Sequence, residues 1–235
     1  MIIERPSASR GRGPAHVAWL DSRHTFSFGD YYDPAWMGFG VLRVINEDRV
    51  APGAGFPTHG HANMEILSYV LSGALSHEDS SGGGGLIRAG ELQWMSAGHG
   101  VKHSEFNGSQ TEPVHFLQIW LQPDRVNAPP AYGQRPAATG EGWQLLASRD
   151  GRDGSLAIRQ DAQLWAVRPQ PGAGFERELQ DSRRYWLHVA QGEVEVNGRV
   201  LQTGDALGFS GESGALRLSG RGEAAADVLL FDLPE

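Results

Sequence analysis

"PGAGFPTHGHANMEILSYVLSG" runs from Pro52 to Gly73, and "PGAGFERELQDSRRYWLHVAQG" runs from Pro171 to Gly192. Both stretches open on the same five residues and end on a polar residue followed by glycine, at the same offset. Further along, "AGELQWMSAG" (89–98) is answered by "TGDALGFSGE" (203–212), the first copy being longer by "SSGGGG" (80–85). A single repeat of this length predicts two homologous domains rather than a solenoid of short units.

Each copy reads as β-structure. "FGVLRVINEDRV" (39–50), "MEILSYVLSG" (64–73), "VHFLQIWLQP" (114–123), "RYWLHVAQGEVEVNGRVL" (184–201) and "AADVLLFDL" (225–233) are apolar or alternating runs bounded by turn residues. The Asn197-Gly198 pair between strand formers marks a hairpin. No long amphipathic helical period occurs, and 32 glycines disfavour a helical fold. The expected architecture is all-β, two antiparallel β-barrel (jelly-roll-like) domains. Residues 1–127 form the expected N-terminal domain and 143–235 the C-terminal one. The Pro/Ala/Gly-rich stretch 128–142 reads as a linker.

Composition narrows the chemistry. The chain has 235 residues, 40% hydrophobic and 20% charged, with a formal net charge of -8. That balance argues against direct nucleic-acid binding or adhesion to an anionic membrane. No run is long and apolar enough for a bilayer-spanning helix and no signal core opens the chain, so a cytoplasmic location is expected. Absence of cysteine removes disulfides, thiolate ligands and a Cys nucleophile. Any bound metal must be held by imidazole, carboxylate or water.

Residues of equal parity share one face of a strand. His59 and His61 therefore point the same way, as does Glu65 if the strand runs without a bulge. Some forty residues on, "AGHGVKHSEFNG" (97–108) supplies a second same-face pair, His103 and Glu105. Three imidazoles and one carboxylate leave open positions on a six-coordinate ion, as a redox or Lewis-acid catalyst requires. Spacing leaves Glu65 and Glu105 equally eligible as the carboxylate. The repeat sets His59 against Glu178, His61 against Gln180, His103 against Arg217 and Glu105 against Ser219, so the ligand set belongs to the first copy only.

Among the remaining residues, His24, His77, His115 and His188 read as structural or core histidines, and His99 as a turn or pocket residue. Met37, Phe39, Met64, Trp94, Met95 and Phe106 are candidates for an apolar pocket wall. Gly82–Gly85 lacks the Lys-Ser/Thr of a phosphate loop and reads as a hairpin turn.

Gly53, His59-x-His61, Glu65 and Gly73 resemble the first sequence motif of the cupin superfamily. Gly90, Gly98, His103 and Asn107 resemble the second, with Ser96 where proline is usual. "DSRHTFSFGDYYDP" (21–34), "FPTHGHANMEILSYVLSGALSHEDS" (56–80) and "ELQWMSAGHGVKHSE" (91–105) are similar to the pirin family within it, and nearer to its bacterial members. The resemblance implies a bicupin in which His59, His61, His103 and Glu105 hold a divalent metal ion, iron(II) first, with Mn, Ni, Cu, Co and Zn as other ions of the same donor preference. It moves the choice of carboxylate to Glu105 and leaves Glu65 a supporting role. Many eukaryotic pirins read His-Pro-His-Arg-Gly-Phe-Glu where this chain has His59-Gly60-His61-Ala62-Asn63-Met64-Glu65, which weakens transfer of their nuclear role.

Resemblance to quercetin 2,3-dioxygenases implies a flavonol and O2 as substrates, with the central ring opened and carbon monoxide released. Glu105 is then either a ligand throughout or the catalytic base for the substrate hydroxyl. The main competing expectation is an iron-dependent, redox-responsive regulatory protein acting through a protein partner. A metal-dependent isomerase or decarboxylase and a purely structural bicupin are further alternatives. A monomer is expected.

Overall fold

The computed structural model of the chain describes residues 1–137 and 141–235. Residues 138–140, inside the expected linker, lie outside the described residues, while Ala131–Pro136 of that stretch forms a strand. The chain divides into two compact units. The first comprises Gly11–Ala137 with Leu156–Gln160; the second gathers Met1–Arg10, 141–155 and Asp161–Glu235.

In the first unit the larger sheet has the order Ala131–Pro136, Glu91–Ser96, Glu65–Ser72, Val114–Leu121, Leu42–Val50, Leu20–His24, Gly11–Arg12. The smaller sheet has the order Gly55–His61, Val101–Asn107, Ala74–Asp79, Gly84–Arg88. Val50, Val70, Val114 and Phe116 of the larger sheet pack with Leu75 and Ile87 of the smaller one. Glu65–Ser72 and Val114–Leu121 are central strands with residues of both faces buried, which explains their near-continuous apolar sequence.

The second unit repeats the plan. Its larger sheet runs through Ile2–Arg5, Ala206–Ser210, Arg183–Gln191, Asp227–Pro234, Gln163–Val167 and Gln144–Ser148. Its smaller sheet is Gly174–Leu179, Gly214–Arg221, Glu193–Val196, Arg199–Gln202. One apolar cluster joins the two, with Leu187, Leu207, Phe209 and Leu230 against Val194, Val196, Leu216 and Leu218.

The expectation of two closed barrels is overturned. All four sheets are open, and their strand orders are linear. Among the described residues, Ala131–Pro136 pairs only with Glu91–Ser96 and Gly11–Arg12 only with Leu20–His24, so no pairing completes a circuit. Two facing open sheets bury the same alternating side chains as a barrel wall does. Alternation in sequence therefore cannot distinguish the two.

The repeated glycines have a backbone reason. Gly53 and Gly172 have φ of 67° and 78°, Gly73 and Gly192 have 74° and 83°, and Gly90 and Gly204 have 79° and 85°. Side chains resist that left-handed region, so the turns of both copies retain glycine. At Gly73 an added Cβ would also lie 2.6 Å from the Pro113 carbonyl oxygen.

Candidate metal centre

The smaller sheet of the first unit carries the site. Val101–Asn107 lies between Gly55–His61 and Ala74–Asp79, and its residues alternate buried and exposed or half-buried, with Val101, His103, Glu105 and Asn107 inward. His103 is paired across the sheet with His59 on one side and Asp79 on the other. Regular pairing with Ala74–Asp79 sets Glu105 opposite His77, while a β-bulge in the pairing with Gly55–His61, between His103 and Glu105, sets it opposite Phe56. Such a bulge re-aims a side chain at the point where regular pairing would fix it.

Ligand atoms of His59, His61 and His103 lie within 4.8 Å of one another. The fourth expected donor, Glu105, groups by the same measure with His103 and His77. His103 is thus common to both groups, and His77, taken from the sequence as a structural histidine, lies at the site. Parity offered a signal for it, since His77 alternates with Leu75 and Asp79 on one strand.

Hydrogen bonds fix the ring tautomers. His59 Nδ1 lies 2.8 Å from the Pro57 carbonyl oxygen, which can only accept, so Nδ1 carries the proton and Nε2 a lone pair. Asp79 is held below the usual carboxylate range. Burial alone would raise it, but hydrogen bonds from Ser81, His77 and the Gly83 amide together outweigh that. Its Oδ2 accepts from His77 Nε2 at 3.2 Å, leaving His77 Nδ1 as an acceptor. Two atoms lie 3.4 Å from that nitrogen, Gln93 Nε2 and His103 Nδ1, and where His103 is the donor its Nε2 is left with a lone pair. The two bare nitrogens, His103 Nε2 and His59 Nε2, face one another at 3.0 Å. A cation shared by the two satisfies both lone pairs at once, so the residues fit a metal ion.

Electrostatics agree. Burial, then the neighbouring imidazoles, lower His103 to about 3. Burial, then His59, lowers His61 to about 4. Both rings stay neutral near pH 7, the form in which imidazole binds a metal. Glu105 is pushed upward by burial, against the opposing hydrogen bonds of Gln118 and Ser68. Gln118 Nε2 donates to both its oxygens, at 2.8 and 3.1 Å, and Ser68 Oγ donates to Oε1 at 3.2 Å.

Glu65 stands apart from both ligand groups. It accepts from Trp94 Nε1 at 2.8 Å, from the Arg159 amide at 3.0 Å and from the Ser96 hydroxyl. That is a fully engaged structural acid. His115 bonds Glu47 at 2.9 Å, and His24 lies 2.9 Å from Ser22 Oγ.

A cavity of about 350 Å³ opens onto His59, His61 and Glu105, and Phe28, Phe56, Pro57 and Trp120 form its apolar wall. None of the six wall candidates from the sequence lines it. Met95 is core and Trp94 is buried, while Met37 and Phe106 are exposed. A second cavity of about 520 Å³ shares Phe28, Asn46, Asp48 and Phe56 with the first.

Two facing sheets with inward histidines on the smaller one define a cupin-like protein with a cluster able to hold a divalent metal ion. A family profile described as Pirin matches residues 5–121, and a second, described as Quercetinase C-terminal cupin domain, matches 145–233. The chain belongs to the pirin family, and it is closely related to bacterial quercetin 2,3-dioxygenases. It is 46% identical over 223 residues to a quercetin 2,3-dioxygenase of Escherichia coli K12, covering 95% of each chain. It is 40% identical to a pirin-like protein of Caulobacter vibrioides over 90% of this chain and 92% of that one. The crystal structure of YhhW from Escherichia coli superposes with a TM-score of 0.93 at 44% identity, covering 100% of this chain and 98% of that chain. The same bacterial pirin in complex with nickel(II) gives 0.92 at 44% identity, covering 100% and 99%.

Proposed function

We propose that the first unit is the catalytic half of a metal-dependent flavonol 2,3-dioxygenase, with His59, His61, His103 and Glu105 as ligands and iron(II) as the resident ion. The second unit serves as a domain without a metal site. The observation that carries this reading is the apolar cavity opening directly onto two of the three clustered histidines and the buried carboxyl of Glu105. A flat aromatic molecule fits such a wall, and imidazole with carboxylate suits a divalent ion.

When bound, the ion supplies Lewis acidity, neutralises the substrate's enolate and gives O2 an electronic path to it. His59 and His103 present their Nε2 lone pairs, held in that tautomer by Pro57 and by the Asp79–His77 pair. Phe28, Phe56 and Trp120 bind the aromatic faces and exclude water. Glu105 takes the proton of the substrate's 3-hydroxyl on a carboxylate oxygen. Gln118 and Ser68 keep the carboxyl oriented for that transfer. Both atoms of O2 enter the product and one ring carbon leaves as carbon monoxide, so no outside reductant is consumed.

Oxygen uptake and carbon monoxide release are measured with iron-reconstituted protein and a series of flavonols. Stoichiometric production of both is expected. Absence of either with every flavonol and every divalent ion tried would sink the reading.

A further inference from the structure

Asn46 and Asp48 lie two residues apart on Leu42–Val50, hence on one face of it, and both are 4% exposed. Both line the metal-adjacent cavity and the larger one that adjoins it, where the remaining shared wall is Phe28 and Phe56. Asp48 accepts the Ser22 hydroxyl through Oδ1 at 2.5 Å, and among the described residues no other hydrogen bond reaches its carboxyl group. Asn46 Oδ1 is buried with no hydrogen-bond partner among the described residues. Asn46 Oδ1 thus lacks a donor, and Asp48 has a second carboxyl oxygen free on the same aromatic-walled cavity, so a donor from outside the protein completes the pair.

We propose that Asn46 and Asp48 form a hydroxyl-recognition pair that selects aromatic substrates bearing a phenolic hydroxyl remote from their metal-chelating end. This rests on the flavonol reading and adds to it which flavonols are taken. A phenol supplies the missing donor, and its ring occupies the space between Phe28 and Phe56. A site built around buried acceptors rejects an analogue that lacks the hydroxyl, because the acceptors then stay desolvated and unpaired. Burial, opposed by the Ser22 hydrogen bond and reinforced by the like charges of Glu105, Glu47 and Asp21, pushes Asp48 up to about 7. Its proton affinity is thus closer to that of a phenol than an ordinary carboxylate's, which strengthens the hydrogen bond between them.

The test uses metal-reconstituted full-length protein with quercetin and with 3-hydroxyflavone, which keeps the chelating group and lacks every remote hydroxyl. Turnover is measured as kcat/KM. Equilibrium binding is measured under nitrogen by quenching of tryptophan fluorescence. Wild type is expected to favour quercetin roughly 10- to 100-fold in both measurements. Asp48→Ala and Asn46→Ala are expected to erode that preference from both sides, losing quercetin and gaining 3-hydroxyflavone as the desolvated acceptor is removed. Near parity in wild type overturns the pair without any variant having to fold. A preference kept in a folded, metal-loaded Asp48→Ala protein overturns it too. Failure to bind either flavonol removes both this pair and the proposed reaction, whereas turnover of both without discrimination removes the pair alone.

Discussion

The two units solve the same packing problem with different interiors. Phe56 pairs with Glu105 in the first unit, and Phe175 of the repeated "PGAGF" pairs with Leu218 in the second. Glu105 pairs on its other side with His77, and Leu218 with Val196. The counterpart of Glu105 is therefore Leu218, and two residues earlier that of His103 is Leu216. Where the first unit has His77, His103 and Glu105, the second has Val196, Leu216 and Leu218, all in its apolar core. One frame accommodates either a metal site or a continuous hydrophobic core. The first interior holds its acids through donors from neighbouring strands, as Gln118 and Ser68 do for Glu105.

Importing the second interior into the first breaks that contrast most completely. His103→Leu removes the ring shared by both ligand groups, so metal content by elemental analysis is expected to fall to background. Turnover should drop roughly a thousandfold or more. Its folded structure is expected to persist, because leucine occupies the equivalent place in the other unit. Stoichiometric metal in the purified variant would refute the assignment of His103.

Glu105→Gln separates the carboxylate's charge from its shape. Loss of the proton acceptor is expected to lower turnover by about a hundredfold or more. Ser219, which the sequence set opposite Glu105, provides the control, since Ser219→Ala should change nothing. Equal turnover in wild type and Glu105→Gln would leave Glu105 without a chemical role.

His77→Val copies Val196 and tests the support behind the ligands. Outer partners of a ligating histidine are worth roughly 10- to 100-fold in metal affinity, and a loss in that range is expected from competition with a chelator. The effect should come without loss of fold, since Val196 shows that the frame accepts valine there. Unchanged affinity would mean that the tautomer of His103 is set by something other than the Asp79–His77 pair.

These contrasts mark where sequence reasoning reached and where it stopped. Strand parity was sufficient to bring His59, His61 and His103 to one face, and the repeated glycines recorded turns that both copies share. Parity could not reveal the bulge between His103 and Glu105, because one extra residue in pairing leaves no mark in composition. The same difficulty put Arg217 and Ser219, rather than Leu216 and Leu218, opposite the ligands. A slip of one residue exchanges the inner and outer faces of a strand. Sheet closure was hidden for a related reason, since edges are decided by which strands fail to pair. His77 is not legible as a site residue from its own strand, because its partner Glu105 lies on a different one.

The smallest expected effect concerns acid sensitivity of the metal-free protein. His61 and His103 are lowered to about 4 and about 3 by burial in the fold, whereas in the unfolded chain histidine titrates near its ordinary value of about 6.5. As pH falls below 6.5 the unfolded chain takes up protons that the folded rings refuse, so stability is lost on acidification and is full above that range. Asp48 works in the opposite direction. Raised to about 7, it holds a proton in the fold where the unfolded chain has released it, so its contribution is present at low pH and fades as pH rises toward and through 7. The two slopes partly offset one another in wild type. His103→Leu deletes one of the histidine contributions and leaves Asp48 untouched, so its urea midpoint should fall less than wild type's between pH 7 and pH 5. Parallel loss in the two proteins would show that the inward histidines already carry protons in the metal-free fold, and that the interior of the first unit is more open to water than the second unit's leucines allow.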